Sequence, residues 1–151
     1  MDNMRDSGVV AGPAPGRSGH TQRLRGLAVT GFVATLAAMV ATTLAAALAQ
    51  AVGVDFEVPD GGETIPLSGF AVVTGFFSVV GVVMAAALLR WSARPAERFV
   101  RTAVTLTAIS LVPPVLSEAD TATTTALLGL HLVAATVMIP TLARSLRTRT
   151  D

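Results

Sequence analysis

The 151-residue chain has no cysteine, which excludes a disulfide framework, a zinc–thiolate site and a thiol nucleophile. It also has no lysine, so arginine supplies all 11 basic side chains. Charge of either sign is scarce: charged types make up 14% of the chain, where a typical soluble domain has roughly 25%. Apolar types reach 52% and the mean hydropathy is +0.64. The few charges sit in short islands, leaving runs that the wet face of a soluble helix could not carry. A net charge of +1 gives no electrostatic footprint for nucleic acid, despite a pI near 9.0. Also missing are a glycine-rich phosphate loop, a Ser/His/Asp set at helical spacing, and paired histidines or a His-x-x-Glu arrangement for metal. The expectation is a protein that is not an enzyme and holds no metal or cofactor.

Long apolar runs fill the space that charge leaves. Residues 27–54 give 28 positions without a charge, where a bilayer-crossing helix needs about 20. Residues 64–89 form a second run, ending at Arg90 and Trp91, and residues 121–143 a fourth. The third, 102–117, would rise about 24 Å, short of a hydrocarbon core of about 30 Å. Recruiting Phe99 and Val100 repairs this if Arg101 snorkels to the interface. We therefore expect an all-α membrane protein, a bundle of four transmembrane helices spanning about 27–53, 67–89, 99–117 and 121–143 within a domain of residues 23–145. Residues 1–22, rich in Gly and Pro, read as a disordered cytoplasmic tail, and 146–151 as a second tail. Ala49-Gln50-Ala51 has the small-x-small form of a signal-peptidase site, but the apolar stretch before it exceeds the usual h-region, so a retained span is expected.

The arginines fall in three places: Arg5, Arg17, Arg23 and Arg25; Arg90, Arg94, Arg98 and Arg101; and Arg144, Arg147 and Arg149. The other two connections carry only acids, Asp55, Glu57, Asp60 and Glu63 in one and Glu118 and Asp120 in the other. Short arginine-rich loops stay cytoplasmic, which puts both termini inside the cytoplasmic membrane and the acidic loops outside. In the first outer loop Val54, Phe56 and Val58 alternate with Asp55 and Glu57 before a Pro-Asp-Gly-Gly turn. This predicts a short extracellular β-hairpin whose apolar side lies over the bundle as a lid. Its acids read as a solvated rim or as a cation or ligand surface. Arg90, Arg94, Arg98, Arg101 and Arg144, with Trp91 and Phe99, suit anionic lipid headgroups.

Within the spans, Ala37, Ala41, Ala45, Ala49 and Gly53 recur every four residues, a smooth stripe for close helix packing. Gly75, Gly81 and Ala85 are read as further helix contacts. Pro113 and Pro114 remove two amide donors, so the third helix should kink or stop there. His131 is the titratable side chain deep in a run, and such residues are functional candidates as proton relays or ligand contacts. Its structural alternative is a neutral imidazole bonded to a neighbouring helix, at Thr42, Thr43, Thr107 or a backbone carbonyl.

Three segments, HLVAATVMIPTLAR at 131–144, GVDFEVPDGG at 53–62 and EADTATTT at 118–125, resemble a family of small four-helix membrane proteins found mainly in actinobacteria and known only as a domain of unknown function. The likeness covers about residues 24–145. It implies four spans and leaves His131 and Pro140 as candidates for an intramembrane polar site. The expected partners are the lipid bilayer and either another membrane protein or a second copy of the chain. Three roles stay open: a structural or partner subunit in the envelope, a small transporter or proton-linked permease using His131, and a sensor with the 54–67 loop as ligand surface.

Overall fold

The computed structural model describes residues 15–57, 63–117 and 119–150. Five helices follow in order: α1 (Pro15–Ala51), α2 (Leu67–Trp91), α3 (Pro95–Ser110), α4 (Val112–Leu116) and α5 (Thr121–Arg147). α3 and α4 form one span, Pro95–Leu116, so four units are each long and apolar enough to cross a bilayer. The fold is an all-α four-helix bundle. α1 packs along both α2 and α5, and α3 closes the ring against the same two helices. Neighbours run antiparallel: Gly31 of α1 meets Val82 of α2 while Gly75 meets Met39, which is what short connections between successive spans require.

Two cores stack along the bundle axis. At the end bearing the arginines, Leu27, Ala34 and Ala38 of α1 pack with Ala85, Phe99, Met138 and Leu142. At the end bearing the acids, Ala46, Phe70 and Leu130 pack with Phe56 from the loop between α1 and α2. The outward faces are apolar too: Phe32, Leu36, Val40 and Leu44 of α1 and Val72, Phe76, Val79 and Val83 of α2 are all exposed. In water such surface would be costly; against lipid tails it needs no cover.

The chain departs from the sequence expectations at several places. α1 begins at Pro15, so residues 15–22, expected as part of a disordered tail, are helical. Propagation from an established helix needs no new nucleus, and proline fits the first turn because its missing N–H would be unsatisfied there anyway. Residues 1–14 lie outside the described residues. Gly53 is not part of a packing stripe. Its φ of 96° ends α1 in the left-handed conformation, with Gly53 N donating to Gln50 O at 3.0 Å and Val54 N to Ala49 O at 3.0 Å. The third span breaks at Leu111, ahead of Pro113 and Pro114, as expected. Ser110 Oγ and Ser117 Oγ donate to Thr107 O at 2.7 Å and Pro114 O at 2.8 Å, supplying donors around the break.

The hairpin expected between α1 and α2 is reduced to a single antiparallel bridge, Glu57 to Thr64, and no strand forms among the described residues. The reason is Phe56, whose φ of 50° lies outside extended backbone and interrupts the alternation. That turn drives the Phe56 ring into the bundle, where it is fully buried. The expected lid therefore exists, held by side-chain burial rather than by a ladder of strand hydrogen bonds. Val58 and Asp60 lie outside the described residues.

Candidate functional site

His131 is half-buried on α5, and its Nδ1–H donates to Leu127 O at 2.8 Å, one turn back on the same helix. The expected partner on a neighbouring helix, at Thr42, Thr43 or Thr107, is not the one it takes. A carbonyl only accepts, so Nδ1 carries the proton of this bond. Pro140 lies nine residues further on, which at 100° per residue is two and a half turns. The two therefore occupy opposite faces of α5, His131 toward the bundle side and Pro140 exposed. They do not form one site.

Thr42 is 3% exposed, and its hydroxyl has no hydrogen-bond partner among the described residues. Along α1 it falls between Ala38, in the cluster that includes Met138, and Ala46, in the cluster that includes Leu130. Other threonines on these helices satisfy themselves locally: Thr35 Oγ1 donates to Gly31 O at 2.8 Å, and Thr136 Oγ1 to Val133 O at 2.9 Å. Thr42 is thus the polar group that sequence reasoning ranked among several and the fold singles out.

The acids at the end opposite the arginines stay apart in role. Asp55, Glu57 and Glu63 are exposed on the rim of the lid, and no three metal-capable side chains come together among the described residues. Glu118 lies outside the described residues. Asp120 is a helix cap: it accepts from Ala122 N at 2.8 Å and Thr123 N at 3.1 Å. Hydrogen bonds from the Thr123 side chain, then from the Thr123 and Ala122 amides, hold its carboxyl below the ordinary aspartate range. Because the folded value is depressed, the stabilisation is present above the unfolded pKa and disappears as pH falls through the folded one. Asp120→Ala is expected to lower the thermal midpoint at neutral pH, with the gap to wild type closing under strong acid, whereas Asp120→Asn keeps the cap. A gap unchanged across that pH range in a melting series would contradict the assignment.

At the opposite end Arg90, Arg94, Arg98, Arg101 and Arg144 are exposed. Arg90 lies over the Trp91 ring at 5.8 Å, and Trp91 is 77% exposed, an arrangement suited to the headgroup layer. Arg94 pairs with Glu97 at 3.6 Å. Phe99, grouped with Trp91 as a surface anchor from sequence, is instead a core residue at the base of α3.

The alanine stripe also shifts. Ala37 is exposed and Ala41, Ala45 and Ala49 are half-buried, while Ala34, Ala38, Thr42 and Ala46 line the seam. Gly75 is a close contact, its missing Cβ lying 3.0 Å from Met39 Sδ, and Ala85 is fully buried. Gly81 faces open space and is no helix contact.

Four antiparallel apolar spans, with basic side chains gathered at one end and the described acidic ones, Glu97 apart, at the other, define a multi-pass membrane protein of the four-helix type. The chain belongs to a family of unknown function, DUF6069, which matches residues 22–148 and so takes in every span. No curated protein and no solved structure matches it.

Proposed function

We propose that this protein is a non-enzymatic subunit of the cytoplasmic membrane, with both termini inside, that serves as a structural or partner element for another envelope protein. The carrying observation is the breadth of its outward apolar faces on α1 and α2, with Phe32, Phe76 and Phe77 all exposed. These offer rigid aromatic and branched surface to a neighbouring helix, while Asp120 and the Nδ1–H of His131 are already engaged locally. The arginine count supports the orientation.

In-membrane crosslinking in the native host, read by mass spectrometry, tests this. The expected result is one recurring envelope protein crosslinked through α1 or α2, with a reporter fused after Asp151 active only in the cytoplasm. Crosslinks to lipid alone, or a reporter active outside, would overturn it. A second reading, a small proton-linked permease using His131, draws on the buried Thr42 hydroxyl, which has no hydrogen-bond partner among the described residues. It requires a proteoliposome flux that His131→Ala abolishes while the thermal midpoint stays near wild type.

A further inference from the structure

We propose that the groove between α1 and α5 at the arginine-bearing end holds one acyl chain of an anionic phospholipid, with the lipid phosphate on Arg149. The groove has a volume of about 410 Å³ and is lined by Val29, Val33, Ala34 and Ala37 of α1 and by Val137 and Thr141 of α5. Thr30 also lines it, yet the two threonines offer methyl groups rather than hydroxyls. Thr30 Oγ1 donates to Gly26 O at 3.0 Å and Thr141 Oγ1 to Val137 O at 2.6 Å, so their polar atoms are taken by their own helices. The result is an apolar trough suited to a hydrocarbon chain.

Its length and its rim select the occupant. From Val29 to Ala37, the stretch of α1 that lines it, the helix rises roughly 12 Å, which lies within one leaflet of a hydrocarbon core near 30 Å. At the headgroup end Val137, Thr141, Ser145 and Arg149 follow one another at four-residue spacing on α5 and the turn after it. Arg149 Nε donates to Ser145 Oγ at 3.1 Å. Its guanidinium lies over Gly26, so close that any Cβ there would collide with it. The cation is therefore held in place at the mouth of the groove rather than left to swing freely. Among the described residues the ion pair formed is Arg94 with Glu97, on the connection between α2 and α3. Arg149, with Arg147 exposed two residues before it and Arg25 exposed next to Gly26, thus presents positive charge without an ion-pair partner among the described residues where a phosphate would sit. A second copy of the chain docking in the same leaflet would bring like charges together at this rim.

The test uses the full chain, delipidated in neutral detergent, with native mass spectrometry and thermal melting after adding phosphatidylglycerol, phosphatidylcholine or inorganic phosphate. Phosphatidylglycerol is expected to stay bound and to raise the midpoint, and the other two to do neither. Arg149→Gln should weaken phosphatidylglycerol binding about fivefold, on the scale of one basic residue at an anionic surface. Gly26→Leu, which displaces the guanidinium and fills the mouth, should reduce it further, and Gln50→Ala, exposed at the other end of α1, should bind as wild type does. Equal binding of the two lipids, unchanged binding in Arg149→Gln, stabilisation by inorganic phosphate alone, or a lipid-free dimer would each overturn the proposal.

Discussion

Phe56→Ala is expected to destabilise the protein by about 3–5 kcal/mol, the range for truncating a buried aromatic. Phe56 is fully buried, packs edge-to-face on Phe70 with centroids 4.9 Å apart, and adopts a φ of 50°. A bulky residue in that region carries strain of about 1–3 kcal/mol. The strain persists because ring burial, about 1.5–3 kcal/mol, and the aromatic pair, about 0.5–1.5 kcal/mol, together exceed it. Alanine keeps most of the backbone strain and loses what offset it. The loop lies beyond the spans, so its alternative environment is water, and the hydrophobic effect acts on Phe56 in full, as it does not on a side chain whose alternative is lipid. Denaturation in detergent measures the loss, and limited proteolysis of the 55–64 segment should accelerate with it. Unchanged protection and midpoint would show that the lid is held by something else.

The same loop shows what the sequence could convey. Alternation at Val54, Phe56 and Val58 was enough to predict an apolar side laid on the bundle, because side-chain chemistry alone decides which residues seek cover. It could not reveal that Phe56 leaves extended geometry, since that follows from the ring's packing on Phe70, a contact with a residue of the next helix. The spans were legible for a similar reason: a charge-free run of sufficient length has few alternatives. Their mutual rotation was not. α1 carries alanine at 28, 34, 37, 38, 41, 45, 46, 47, 49 and 51, so a four-residue stripe can be drawn on more than one face. Which one is buried depends on the partners, and the seam through Ala34, Ala38 and Ala46 is set by Val82, Met138 and Leu130 across the interface. His131 was visible as an ionisable group at depth, yet its bond to Leu127 is a local choice open to any helical histidine. The Arg149–Gly26 contact joins residues far apart in the chain and left no pattern to read.

Gly31 is where that seam is tightest, and Gly31→Leu is expected to cost about 3 kcal/mol or more, beyond the usual range for one overpacked position. A Cβ at Gly31 would lie 2.6 Å and 2.8 Å from the two Val82 methyl groups. Valine is β-branched and holds essentially one rotamer in a helix, so the side chain cannot swing away and the helices must separate. Separation is expensive here because packing between spans relies on close contact rather than on escape from water. Gly31→Ala is the discriminating variant. It gains up to about 1 kcal/mol of helix propensity against a clash of about 1–3 kcal/mol, for a small net loss. Paired with Val82→Ala, which removes the opposing methyls, the clash disappears and the double variant should exceed the sum of the singles, a coupling readable in a double-mutant cycle. Gly81→Ala and Gly129→Ala, where an added Cβ meets nothing within 4 Å, should keep wild-type stability or gain slightly. Additive behaviour of Gly31→Ala and Val82→Ala, or equal losses at Gly31 and Gly81, would mean that α1 and α2 do not meet at this register.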